Sequence, residues 1–218
     1  MSLRTVQLKL QAAGFDPGPI DGLWGQRTES ALDAALSAAR APMLSPVTQV
    51  MREAIAPGLA MLPSRMASPE ARMLMLAICG QEADFHHRWQ VVDRSRPGVM
   101  GPARGLWQFE RGGGVRGVLT HASSRTHAEA LCRLRGVSAT LDGVYNALHA
   151  DDVLAAGFAR LLLWTDAAPL PAVGDVETAW KLYLRTWRPG AYTRGTEEQR
   201  SKLRAKWAGY YNDARKAL

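Results

Sequence analysis

The chain has 218 residues, 47% of them hydrophobic and 22% charged, with a formal net charge of +7 and a pI near 9.8. Such proportions suit a globular protein with one substantial core, or a core plus a small module. They argue against a membrane-spanning helix, because the best apolar run, VLAAGFARLLLW, is short and carries Arg160, against a disulfide scaffold, because only Cys79 and Cys132 are present, and against a nucleic-acid partner, because the basic residues are dispersed and form no binding motif.

The N-terminal MSLRTVQLKL has no apolar signal core before a cleavage site, so export is expected to use another route or not to occur. Leu3, Val6 and Leu10 recur at helical spacing, and Gly14 suits a helix stop. FDPGPIDGLWG reads as a compact turn-rich loop, in which Gly18 and Gly22 permit tight turns while Ile20 and Trp24 pack onto the flanking helices. RTESALDAALSAARA reads as a second helix. The expected boundaries are a module at 1–40, a linker and connecting helix at 41–66 that breaks at Pro57-Gly58, and a main domain at 67–218.

In the main domain Ser68, Pro69 and Glu70 form an N-cap, first helical position and acidic first turn. The helix they start runs through ARMLMLAICGQEADF and is apolar on nearly every side, so it is a central core helix. Cys79 inside it reads as a buried thiol; a Cys79–Cys132 bridge stays open. Residues 94–118 read as loop or a small hairpin, with Gly112-Gly113-Gly114 a hinge or tight turn. Helical patterns follow near 126–134, 151–164, 175–186 and 197–216. The expected fold class is mainly α, with at most a small β-hairpin and a small helical N-terminal module.

One residue departs from this pattern. Leu74, Ile78 and Glu82 are spaced by four and share a helix face, which Phe85 continues. A carboxylate buried there needs a partner or holds a proton. Two readings stand on the helix alone: a structural Glu paired with an arginine, or a protonated general acid.

Further motifs bear on the choice. Glu82-Ala83-Asp84-Phe85 followed by Gly105-Leu106-Trp107-Gln108 resembles the signature of lysozyme-like lytic transglycosylases and the wider goose-type lysozyme group, with Trp107 where that family commonly has Met. YLRTWRPGAY is similar to a third family element, but lacks its Asn-Ala-Gly. VQLKLQAAGFDPGPIDGLWGQRTESAL resembles the common peptidoglycan-binding module, without its usual second half after Leu36. The whole looks most like a phage endolysin.

That resemblance implies cleavage of the MurNAc–GlcNAc bond, with Glu82 as catalytic acid, Tyr183 supporting it, and Gln108 contacting substrate. Trp107, Phe109, Gln90 and Trp187 are expected along the cleft, and Asp21 and Trp24 in wall binding. A transglycosylase needs no second carboxylate, and this route is favoured. A hydrolytic muramidase would draw on Asp84, Asp93 or Glu110. A wall-binding or structural virion protein without catalysis is the non-enzymatic alternative. Arg88 is a further cleft-mouth candidate, beside its simpler reading as an exposed helix-end residue.

No cofactor or metal is expected. His86 and His87, as neighbours on a helix, would diverge by about 100°, and neither a metal-protease nor a nucleophile-elbow motif occurs. The expected partner is the peptidoglycan glycan strand, with weak contact of the basic helix at 197–218 to anionic outer-membrane lipid set against a solvated face. A monomer is expected. So is synthesis in a host cytoplasm, with action on the periplasmic wall after release through a pore, or carriage on a virion.

Overall fold

The computed structural model describes residues 1–40, 44–92, 95 and 99–218. The chain divides into two compact units, Met1–Leu44 and Ser45–Leu218. It is mainly α.

The smaller unit holds α1 (Leu3–Ala12) and α2 (Gln26–Arg40). Its organiser is a polar side chain, Gln7, which is fully buried. The Gln7 amide nitrogen donates to Asp21 Oδ1 at 3.2 Å, Leu23 O at 3.0 Å and Thr28 Oγ1 at 3.2 Å, and its oxygen accepts from Gly22 N at 2.8 Å. One amide thus fixes the whole loop between the helices, because every polar group it buries is satisfied. Gly18 and Gly22 turn with φ of +81° and +79°. Trp24 departs from its expected packing role: it is 53% exposed, beside Leu23 at 70%.

The larger unit begins with α3 (Pro46–Val50), a wide π turn (Met51–Ile55) and α4 (Ala56–Ala60). These run on as one helical stretch, so the helix is not broken at Pro57-Gly58. Proline lacks an N–H and its ring crowds the carbonyl four residues back; the wide turn preceding it relaxes the ladder at that point. Ile55 and Leu59 are buried in the main core. Residues 45–66 therefore belong to the larger unit rather than linking to it, and 41–43 lie outside the described residues.

Next comes α5 (Pro69–Ala83), capped by Ser68, whose hydroxyl accepts from Ala71 N at 3.2 Å. Met73 through Gln81 are all buried, so the helix is enclosed on every side. It stops earlier than its apolar pattern suggests. Asp84 and Phe85 both take left-handed backbone angles, φ 49° and 65°, and the Asp84 N–H closes on Gly80 O.

A three-stranded antiparallel sheet follows, rather than a single hairpin: β1 (Trp89–Val91), β2 (Met100–Arg104) and β3 (Phe109–Glu110), in that spatial order. Trp89 pairs with Arg104 and Arg104 with Phe109. The Gly112–Gly114 run forms a second π turn (Arg111–Val115) leading into α6 (Arg116–Thr120), not a hinge. Then come α7 (Arg125–Leu134), α8 (Leu141–Ala147), α9 (Asp152–Trp164), α10 (Val176–Trp187), α11 (Gly190–Thr193) and α12 (Glu197–Lys216). Cys79 and Cys132 are both buried and free, so no bridge joins them. Arg160, the charge inside the apolar α9, donates from Nε to Met66 O at 2.8 Å and lies over the Trp164 ring.

α12 packs closely along α5, and Gly80 is what permits it: a Cβ there would stand 2.5 Å from the Tyr210 ring and 2.6 Å from Phe85. Gly80→Ala is expected to destabilise the protein by about 2 kcal/mol, the usual cost of overpacking. In thermal unfolding this reads as a fall in Tm of roughly 5 °C; an unchanged Tm would refute the close-approach role.

Candidate active site

Glu82 stands on the last turn of α5, where the helix leaves the core and meets an open cleft of about 840 Å³. The volume lies within the range of small-molecule sites. Glu82 is partly buried. The Tyr183 hydroxyl, on α10, donates to Glu82 Oε1 at 2.6 Å. Burial raises the Glu82 pKa to about 7, opposed by the Tyr183 hydrogen bond and the Lys206 charge and assisted by the Glu110 charge. Burial and the adjacent carboxylate hold the Tyr183 phenol well above its usual range, so it remains a donor.

Tyr183 is itself immobilised. It is 1% exposed and stacks on Trp207 with ring centroids 5.1 Å apart and planes at 18°. Trp180 lies against both rings. The stack joins α10 to α12 and fixes the position of the hydroxyl that bonds Glu82.

The strained corner after Glu82 is tied down by the same helix. The Tyr210 hydroxyl donates to Asp84 Oδ1, Lys206 Nζ approaches that oxygen at 3.2 Å, and Lys206 also donates to Gln81 O at 2.9 Å. Phe85 packs edge-on against Tyr210. Left-handed angles cost an L-residue roughly 1–2 kcal/mol, and these contacts offset it. The Asp84 carboxylate is thus engaged by Tyr210 and Lys206, and Asp84 is not among the residues that border the cleft. His86 and His87 follow the corner and are not on the helix. Their rings lie 3.9 Å apart, so the helical argument for their divergence does not hold. Among the described residues no group of three or more His, Cys, Asp or Glu gathers as a metal site.

The GLWQ segment brings Gln108, and Phe109 after it, to the cleft. Gly105 has φ +73°, and a Cβ there would sit 2.7 Å from Leu148 O. Trp107 does not line the cleft, contrary to expectation. It is fully buried, and its indole N–H donates to Met75 O at 2.9 Å. It is a core anchor that pins the loop to α5. Gln108, with φ 49°, borders the cleft; its amide nitrogen donates to His87 O at 3.2 Å and Gly105 O at 2.9 Å, which leaves its side-chain oxygen to offer. Phe109 borders the cleft as a nearly buried floor, packed against Trp187 and Phe158. Trp187 is fixed by its indole N–H, which donates to Trp107 O at 2.9 Å. Gln90, exposed on β1, also borders the cleft. Arg88 is turned to another task, a bidentate pair with Asp152, Nε to Oδ1 at 3.0 Å and Nη2 to Oδ2 at 2.6 Å.

Glu110 borders the same cleft as Glu82. Asp93 lies outside the described residues. In the smaller unit, Asp21 is a turn residue, accepting from Leu23 N at 2.9 Å and from Gln7. Both bonds fall on Oδ1, and Asp21 and the Trp24 ring are exposed.

Several cleft residues carry no local signature. Arg116, Asp166, Arg185, Arg188 and Arg194 border it from α6, the turn after α9, and the α10–α11 region. Lys206 and Tyr210 are spaced by four on α12, which places them on one helix face; nothing in that spacing names Glu82 and Asp84 as their targets. Comparisons with protein-family models, with curated proteins and with solved structures gave no match.

The charge state of Glu82 has a measurable consequence. A carboxyl whose folded pKa lies above its unfolded value stabilises the fold while protonated, and this stability is lost as pH rises from about 4.5 through about 7. Glu82→Gln should therefore gain unfolding free energy over wild type across that window, by up to roughly 3 kcal/mol. Carbon NMR should place the Glu82 carboxyl titration near 7 and higher in Tyr183→Phe, which removes a bond favouring the ionised form. A Glu82 titration in the ordinary carboxylate range would contradict the burial.

Proposed function

We propose that the chain is an endolysin-type glycosidase that cleaves the MurNAc–GlcNAc bond of peptidoglycan as a lytic transglycosylase. The observation that carries this is the Glu82–Tyr183 pair at the edge of an open cleft, with the Glu82 pKa raised by burial to about 7. A general acid works best with a pKa near the working pH.

In the first step Glu82 protonates the glycosidic oxygen as the C1–O bond breaks. The muramoyl C6 oxygen then attacks C1, and its proton returns to Glu82, closing a 1,6-anhydro ring. The Tyr183 hydroxyl serves both halves. It stabilises the carboxylate formed after the first transfer and keeps the oxygen positioned for the second. Commitment of Asp84 to Tyr210 and Lys206 supports a single-carboxylate route.

One observation favours the hydrolytic alternative: Glu110 borders the same cleft and forms no ion pair among the described residues. Placed across the sugar from Glu82 it would activate water. The Trp24 and Leu23 patch suits sugar stacking and supports wall contact by the smaller unit. Lipid contact by α12 draws less support, because Lys202, Arg204 and Lys206 already face carboxylates of this chain.

Clearing of permeabilised Gram-negative cells by wild type and Glu82→Gln tests the assignment, with a fall of at least about 10²-fold expected. Lysis unaffected by the substitution would overturn it, and no lysis by either would favour a wall-binding protein. Mass spectrometry of released muropeptides then separates the chemistries. Anhydro ends that persist in Glu110→Gln identify the transglycosylase; reducing ends that vanish in Glu110→Gln identify the hydrolase.

A further inference from the structure

The charges that border the cleft are unevenly matched. Arg185 is consumed in a bidentate pair with Asp166, Nε to Oδ2 at 2.5 Å and Nη2 to Oδ1 at 3.0 Å. Arg116, Arg188 and Arg194 also border the cleft and are exposed. Among the described residues none of the three forms an ion pair; the recorded contact is a long 3.4 Å bond from Arg188 Nε to Arg185 O. Besides the paired Asp166, the carboxyl groups that border the cleft with these three guanidiniums are Glu82, whose pKa burial raises to about 7, and Glu110.

Their placement follows from the fold. Arg188 ends α10 in a left-handed turn, φ 48°, five residues beyond Tyr183. At about 1.5 Å per residue its backbone stands roughly 7–8 Å along the helix axis from that of Tyr183, whose hydroxyl bonds Glu82. Arg194 closes α11, and Arg116 opens α6 just after the glycine turn. That turn presents Gly112 and Gly113 to the cleft without side chains, which leaves the wall there low.

We propose that Arg116, Arg188 and Arg194 form a carboxylate-reading rim, and that the preferred substrate is glycan whose muramoyl sugars carry acidic peptide stems rather than bare glycan. This rests on the glycosidase reading above. The stem is joined by an amide to the lactyl ether of the muramoyl sugar, so its free carboxylates are carried beside the sugar that Glu82 acts upon. Guanidinium forks match carboxylates in bidentate geometry, and a focused positive field raises local substrate concentration. The rim also explains where part of the net charge of +7 is placed.

The test compares three soluble substrates of equal chain length: peptide-bearing glycan, the same glycan stripped of stems by an amidase with the lactyl carboxylates so exposed then converted to amides, and peptide-bearing glycan whose carboxylates have been converted to amides. Wild type is expected to turn over the first about tenfold faster than the other two at low salt, with the ratio shrinking as salt screens the rim. The triple variant Arg116→Gln, Arg188→Gln, Arg194→Gln should bring the three rates together, and the triple Lys variant should keep part of the preference. Equal wild-type rates on all three substrates would overturn the rim while leaving the glycosidase reading intact. A preference unchanged in the triple Gln variant would do the same. Turnover of none of the substrates by wild type would overturn the glycosidase reading and the rim together. Tighter binding of a phosphate-bearing wall polymer than of the peptide-bearing glycan would also overturn the carboxylate assignment.

Discussion

A helix that is apolar on every side can exist in water only if other elements enclose it, and α5 imposes that requirement on the larger unit. The first helical stretch, α9, α12 and the sheet loop all meet it. Burial of its side chains is worth roughly 1.5–3 kcal/mol each before entropy is counted, so few alternative arrangements compete. Enclosure also limits what the end of the helix can be. Its last turn must return to the surface, and the residue at that transition is Glu82, with one side toward the core and the other toward a cleft.

The environment of Glu82 follows from how the enclosure is completed. Close approach of α12 at Gly80 brings Tyr210 and Lys206 to the corner at Asp84 and Phe85, where the backbone turns left-handed. The aromatic stack of Trp180, Tyr183 and Trp207 joins α10 to α12 and carries the phenol to Glu82. Trp107 pins the GLWQ loop to the middle of α5 and, through its carbonyl, holds Trp187 at the cleft. The carboxyl, its hydrogen-bond donor and the GLWQ segment are thus set by core contacts rather than by flexible loops, as a preorganised site requires.

The larger unit also separates its charges. Two carboxylates near the cleft are spent locally, Asp84 on Tyr210 and Lys206 and Asp166 on Arg185, while Glu110 borders it without a recorded ion pair among the described residues. Burial raises the Glu82 pKa to about 7, and Arg116, Arg188 and Arg194 border the cleft. The cleft is thus bordered by four arginines and three carboxyl groups, one of them raised in pKa. The smaller unit solves a different problem. With little core of its own, it uses the buried Gln7 amide to hold its loop and leaves Leu23 and Trp24 in solvent.

Local pattern alone was enough for the mainly α class, the Ser68-Pro69 start of α5, its all-round burial and the anomaly at Glu82, because caps, periodicity and a misplaced charge are written in adjacent residues. The same held for the turn glycines of the smaller unit. Resemblance pointed to Tyr183, while its 2.6 Å contact with Glu82 spans 101 positions and has no periodic trace. The fold alone decided that α5 ends before Phe85, since left-handed turns at Asp84 and Phe85 are held by α12. It also decided that Trp107 is core and not cleft, because only packing against α5 distinguishes a buried indole from an exposed one. The same holds for the arginine rim: its members come from separate elements, and a shared cleft is a property of their packing. Sequence determined which side chains needed burial and which needed partners; tertiary structure decided which partners they found.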